Sequence, residues 1–277
     1  MPIRPGEYHR PVDWASAREL LRRAPPLLLG PRVSIPLYGD AEAVVDLSRL
    51  DLAYIKVDDE VRLGALTPLQ DLADSPQLQA LANGLPSEAV RLTAHYGLRN
   101  LATVGGALLS RDGPPEILLA LLALDAVVVI RGAETRELPI TNYSLNPGDV
   151  IAEVRFPQPA NGTKGALERV ARTPRDESIV SAAAVIEVID GVCRKVRLAV
   201  AGGTPRPQRM TSAEKLLEGQ PLTPEQLQGA AQAVMAEADP VADYRGSAEY
   251  RQAMAGVLAR RALEAALKRS LTSEFLP

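Results

Sequence analysis

IVSAAAVIEVIDGVCRKVRLAVAGG, residues 179–203, holds two apolar runs on either side of Asp190-Gly191. Asp-Gly between two β-favouring runs is among the strongest short hairpin signals, because a two-residue turn of this kind needs positive φ at both positions. Gly202-Gly203 then reads as a strand-end turn. Three helical stretches follow. SAEKLLEG (212–219) is the first, and TPEQ (223–226) opens the second as a capping box with Thr223 as cap, Pro224 at the first helical position and Gln226 reaching back. The third is AEYRQAMAGVLARRALEAALKR (248–269), with Tyr250, Met254, Val257, Leu258 and Leu267 near one stripe. A sheet followed by a helical tail predicts an α+β domain. Upstream, PQPANGTKG (157–165) has the Pro, Gly and Asn content of a linker.

Ahead of that linker the elements alternate. DWASARELLRR (13–23) predicts an amphipathic helix capped by Asp13, with Trp14, Ala17, Leu20 and Leu21 on one face. With the short strands predicted in PPLLLG (25–30) and AVVDL (43–47), it makes a βαββ-type module over about 3–52. AYIKVDDEVRLGAL (53–66) predicts two strands around Asp58-Asp59. A helix is expected from Thr67 as cap, with Pro68 at its first position, and another from Ser87 to Gly97. PEILLALLAL (115–124), AVVVI (126–130) and VIAEVRFP (150–157) read as helix, strand and strand.

Composition removes several functions. The chain has 277 residues, 46% of them hydrophobic, and a net charge of −3, without a basic block interleaved with aromatics, so nucleic acid is not an expected partner. One cysteine, Cys193, builds neither an iron–sulfur cluster nor a disulfide within the chain, and beside Val192 it reads as a small buried hydrophobe. His9 and His95 are the only histidines, so no metal site is expected. The opening MPIRPGEYHRPVDW lacks the apolar core of a signal peptide. The longest apolar run, ILLALLALDAVVVI (117–130), is interrupted by Asp125 and too short to span a bilayer. A cytoplasmic protein without membrane attachment is expected.

ATVGGALLS (102–110) carries the one motif with chemical promise. Paired glycines let backbone N–H groups approach a phosphate, and they equally serve an ordinary turn at a helix start. Asp112 and Glu116 read either as ligands or as solvated carboxylates near a helix N-terminus. Ser34, Ser110 and Ser144 have no histidine at a useful spacing, so no catalytic residue is assigned and a hydrolase is not expected.

The ordered set YHRPVDWASARELL, VRLGALTPLQDLADSPQL, LRNLATVGGALLSRDGPPEILLALLALDA, GTPRPQRMTSAEKLLEG and GSAEYRQAMAGVLARRALEAAL resembles the flavoprotein (medium) subunit of the molybdenum hydroxylases, the family of carbon monoxide dehydrogenase and xanthine dehydrogenase. The resemblance runs over nearly the whole chain. It implies an α+β fold: an FAD-binding domain at 1–157 with α/β subdomains at about 1–52 and 53–157, then a domain at 165–277 with a small antiparallel sheet and a helical bundle. It implies an FAD that relays electrons from iron–sulfur clusters to an acceptor. The partners implied are an iron–sulfur subunit and a molybdenum-cofactor subunit.

The same resemblance assigns cofactor-binding residues. The second glycine loop, usually Thr-x-Gly-Gly-Asn, appears as Thr103-Val104-Gly105-Gly106-Ala107, with the asparagine replaced. Asp112 follows, and Glu116 stands where the family has an aspartate on the adenosine side of FAD. The first loop, usually Ala-Gly-Gly-x-Ser-Leu, appears as Leu29-Gly30-Pro31-Arg32-Val33-Ser34. Pro31 removes an N–H and fixes φ, Val33 replaces a small hydroxyl residue, and Arg32 offers a guanidinium to phosphate instead. Residues 166–172, ALERVAR, lack the family's aromatic, and LPITNYSLNPGD (138–149) is shorter than in many relatives. These departures keep open a second reading, a flavin-free paralogue serving as a structural or regulatory subunit.

Overall fold

The computed structural model describes residues 7–23, 27–28, 43–110, 114–173 and 176–273. The chain opens with β1 (Glu7–His9), α1 (Trp14–Arg23), β2 (Leu27–Leu28) and β3 (Ala43–Val45). Asp13 caps α1 as expected, its Oδ1 accepting the Ser16 N–H at 2.8 Å. β3 pairs in parallel with both β1 and β2. The apolar face of α1 sends Ala17 and Leu21 into a core with Val45, Leu47, Leu50 and Leu52, and Trp14 and Leu20 pack at its margin.

β4 (Ile55–Val57) and β5 (Glu60–Gly64) form the hairpin around Asp58-Asp59. α2 (Leu69–Asp74) and α3 (Pro76–Ala80) follow. Thr67 is not the cap expected of it: its hydroxyl donates to Tyr54 O and accepts the Tyr54 N–H, each at 2.9 Å. A 3₁₀ turn at Leu81–Gly84 leads to α4 (Leu85–Thr93), and α5 (Tyr96–Arg99) is a separate turn. The helix expected from Ser87 therefore starts at Leu85, because Gly84 at φ 80° redirects the chain there and Pro86 suits a first turn. Ser87 is wholly buried inside it.

α6 (Val104–Leu109), α7 (Glu116–Ala123), β6 (Val127–Arg131), β7 (Thr135–Pro139) and β8 (Val150–Pro157) come next. β7 was not anticipated. With β4 and β5 these strands make an antiparallel sheet of order β4-β5-β8-β6-β7. β9 (Lys164–Val170), β10 (Val180–Ile189), β11 (Val192–Ala201) and β12 (Gln208–Arg209) make a second antiparallel sheet, and α8 (Thr211–Leu217), α9 (Pro224–Glu237) and α10 (Ala248–Ser273) complete the chain. The β10–β11 hairpin turns where expected, with Asp190 at φ 51° and Gly191 at φ 75°. Thr223 caps α9, accepting the Gln226 N–H at 3.3 Å.

Two compact units result: Met1–Leu72 with Tyr96–Gly113 and Ala126–Pro157, and Ala73–His95 with Pro114–Asp125 and Gln158–Pro277. In the second, β10 is buried along most of its length. Ala182, Ala184 and Ile186 join a core with Leu258, Ala259 and Leu263 of α10, and α7 packs on the same sheet. The near-continuous apolar run of β10 is thereby explained, since a strand covered on both faces has no polar alternation. On α10 the buried stripe is Ala255, Leu258, Ala259, Ala262, Leu263 and Ala266, while Tyr250, expected on it, is 40% exposed. Small residues win that face because α10 lies close to the sheet: a Cβ on Gly203 would meet Ala255 Cβ at 2.7 Å.

Candidate functional site

The glycine pair sits in the first unit, at the start of α6. Thr103 is extended at φ −116° and caps the helix, its Oγ1 accepting the Gly106 N–H at 3.2 Å. The preceding backbone is zipped to residues 65–69. Val104 N–H donates to Thr67 O at 3.1 Å, Gly105 N–H to Ala65 O at 2.8 Å, and Leu69 N–H to Ala102 O at 2.8 Å. Ala107 N–H donates to Thr103 O at 2.9 Å. A Cβ on Gly105 would lie 3.1 Å from both Ala65 Cβ and Ala65 O. A side chain at Gly105 would crowd Ala65, and the Gly105 N–H serves the protein itself. Gly106 is the amide held by a hydroxyl, at the longest distance of the four.

Around this loop, Arg99 Nε donates to Gln70 Oε1 at 2.9 Å and Asn100 Nδ2 to Tyr96 O at 2.8 Å. Arg99 thus braces α2, and Asn100 closes the short α5 turn. Tyr143 donates its hydroxyl to Leu108 O at 2.6 Å, so a residue of the 138–149 segment supports α6.

Glu116 lies in the second unit, at the first position of α7, and is fully buried rather than solvated. Its Oε1 is 3.4 Å from Arg169 Nη1, and its Oε2 has no hydrogen-bond partner. Burial pushes its carboxyl above the usual range, against the lowering influence of its own backbone N–H, Ser178 and Arg169. The next amide, Ile117 N–H, donates to Thr93 Oγ1 at 3.2 Å. Leu29, Gly30, Pro31, Arg32, Val33, Ser34 and Asp112 lie outside the described residues. Within ALERVAR, Ala166 and Leu167 of β9 are buried.

Two families match this chain in series. One, described as the FAD binding domain in molybdopterin dehydrogenase, matches residues 4–159, and the CO dehydrogenase flavoprotein C-terminal domain matches residues 165–266. The chain belongs to the flavoprotein subunits of the molybdenum hydroxylases. Among these medium subunits, the carbon monoxide dehydrogenase medium chain of Hydrogenophaga pseudoflava is 30% identical over 280 residues, covering 95% of this chain and 97% of that protein. The 6-hydroxypseudooxynicotine dehydrogenase complex subunit alpha of Paenarthrobacter nicotinovorans is 33% identical over 240 residues, covering 82% and 80%. In structure, carbon monoxide dehydrogenase from Hydrogenophaga pseudoflava, in a form lacking the Mo-pyranopterin moiety of its cofactor, matches with a TM-score of 0.87 at 30% identity over 97% of this chain and 99% of that one.

Each unit, taken by itself, offers polar groups of a kind that an FAD would need. Gly106 N–H and the Thr103 hydroxyl are donors suited to a phosphate oxygen, and the orphaned Glu116 Oε2 is an acceptor suited to a sugar hydroxyl. The sequence reading did not single out Arg169, although it lies inside the quoted ALERVAR. An arginine at an alternating strand position carries no mark of which face it occupies. Among the described residues no cluster of His, Cys, Asp and Glu could hold a metal, and no helix is long and apolar enough to cross a membrane.

Proposed function

We propose that this medium subunit binds FAD and serves as the electron-transfer component of a molybdenum hydroxylase complex. It would take electrons from iron–sulfur clusters on one partner subunit, fed by a molybdenum-cofactor subunit, and deliver them to an acceptor from the cytoplasm. The flavin, when bound, supplies the redox chemistry, and the chain contributes binding and orientation. Thr103, Val104, Gly105, Gly106 and Ala107 form the phosphate-side loop, with Gly106 N–H and the Thr103 hydroxyl as its donors. Glu116 accepts from the adenosine half. Residues 29–34, Arg32 among them, and Asp112 are the remaining assigned contacts.

The observation that carries this reading is Glu116: a wholly buried carboxylate with one oxygen left unpartnered. An unsatisfied buried acceptor costs roughly 1–3 kcal/mol, more when charged, and a bound hydroxyl removes that cost. The test is an absorbance spectrum of the purified chain after incubation with FAD and desalting. Flavin bands at near-stoichiometric amounts are expected. A colourless protein showing no thermal shift with FAD would overturn the proposal. It would instead favour the flavin-free structural or regulatory subunit, the reading to which Pro31 and the aromatic-free 166–172 segment point.

A further inference from the structure

Arg169 projects from β9 with its side chain 14% exposed and reaches three segments of the second unit. Its Nη1 donates to Leu92 O at 3.1 Å, near the end of α4, and its Nη2 donates to Asp176 O at 2.6 Å. These two carbonyls belong to different segments and engage the two terminal nitrogens of the guanidinium, so backbone acceptors hold the planar fork beside Glu116. The same Nη1 faces Glu116 Oε1 at 3.4 Å. That distance is long for a hydrogen bond, and the attraction is chiefly one of charge.

The consequence is an asymmetric carboxylate. Oε1 is drawn toward a fixed cation, while Oε2 stays buried without a partner. The rest of the helix start is also pinned, because Ile117 N–H is held by Thr93 Oγ1, whose own proton goes to Ala89 O at 2.9 Å.

We propose that Arg169 is a positioning residue for FAD recognition: it holds Glu116 so that Oε2 accepts from a hydroxyl on the adenosine half of the dinucleotide. Arg169 thereby sets the preference for FAD over FMN, which lacks that half. The inference rests on the FAD-binding reading above.

The experiment titrates the full chain with FAD and with FMN, following flavin fluorescence, for wild type, Arg169→Met, Arg169→Lys, Glu116→Gln and the double variant Arg169→Met/Glu116→Gln. Arg169→Met is expected to weaken FAD about tenfold or more and to leave FMN unchanged. Arg169→Lys restores part of the loss by returning the charge without the fork. The double variant loses no more than the worse single variant, because both act through one contact. Parallel losses of FAD and FMN in Arg169→Met would make the residue merely structural and overturn the inference, as would unchanged FAD affinity or additive losses in the double variant. Should Arg169→Met fail to fold, as judged by circular dichroism, the Lys and Gln variants carry the same comparison. A wild-type chain that binds neither flavin overturns the FAD reading itself and the inference with it. Wild-type FAD binding with unaltered selectivity in the variants overturns the inference alone.

Discussion

Asp125 offers a direct test of how the second unit is held together. It follows α7 in the left-handed region at φ 55°, a conformation that Asp and Asn tolerate better than other side chains. Its carboxylate meets three cations. Lys195 Nζ lies at 2.8 Å, Arg197 Nε donates to both oxygens at 2.9 and 3.0 Å, and Arg209 Nη1 bonds Oδ1. Glu218 takes a second contact from Arg197, and Glu214 takes a bidentate one from Arg209. Replacing Asp125 by Asn keeps the backbone preference and removes only the charge. Exposed pairs are worth about 0–1 kcal/mol, whereas breaking a buried one costs about 3–5 kcal/mol. With its side chain 27% exposed, Asp125 falls between these limits, and a loss of about 2–3 kcal/mol follows. For 277 residues, with an unfolding entropy of about 2.1 cal/mol/K per residue, that corresponds to a fall of about 3–5 °C in Tm.

Calorimetric melts of wild type and Asp125→Asn at pH 7 measure this fall, and melts toward acid add a second check. Burial raises the Asp125 carboxyl, but the hydrogen bonds and charges of Lys195 and Arg197 outweigh it and hold it below the ordinary carboxylate range. A depressed folded value means that the contribution is complete above the unfolded value of about 4 and is lost as pH falls through the folded one. The gap between the two proteins should therefore narrow below about pH 4. A Tm within about 1 °C of wild type at pH 7 would refute the reasoning, since it lies well under the range derived above.

Two further outcomes are expected. Gly105→Ala should destabilise the chain by about 1–3 kcal/mol even without any flavin, because the added Cβ crowds Ala65; an unchanged melt of the flavin-free protein would show that this glycine serves only the ligand. Cys193 lies wholly buried in the core of the second unit, and burial, with Glu218 and Glu187, pushes its thiol up to about 11. A thiol reagent at pH 8 should leave the folded protein unlabelled and react with one group per chain after denaturation. Rapid labelling of the folded form would contradict that burial.

Legibility varied with how local each cause was. Asp13, Thr223 and the Asp190-Gly191 turn act through atoms two or three residues away, and each appears where the sequence placed it. Thr67 failed as a cap because Tyr54, distant in sequence, captures both ends of its hydroxyl. β7 escaped notice because its alternating residues are largely exposed and it exists only by pairing with β6. On α10 the bulky apolar residues suggested one stripe; Leu258 lies on the buried face as expected, yet most of that face is alanine, since close approach to the sheet rewards small side chains.

The sequence by itself determined the family, the α+β class, the hairpin at the heart of the second sheet and the location of the glycine loop. Order along the chain and local backbone preference suffice for these. Only the tertiary structure decided what the key residues do. Gly105 is glycine because Ala65 stands against it, and Glu116 is a buried, half-partnered carboxylate because Arg169, far along the chain, is held beside it. Burial and partner choice depend on which distant segments meet, and no spacing within a single segment encodes that.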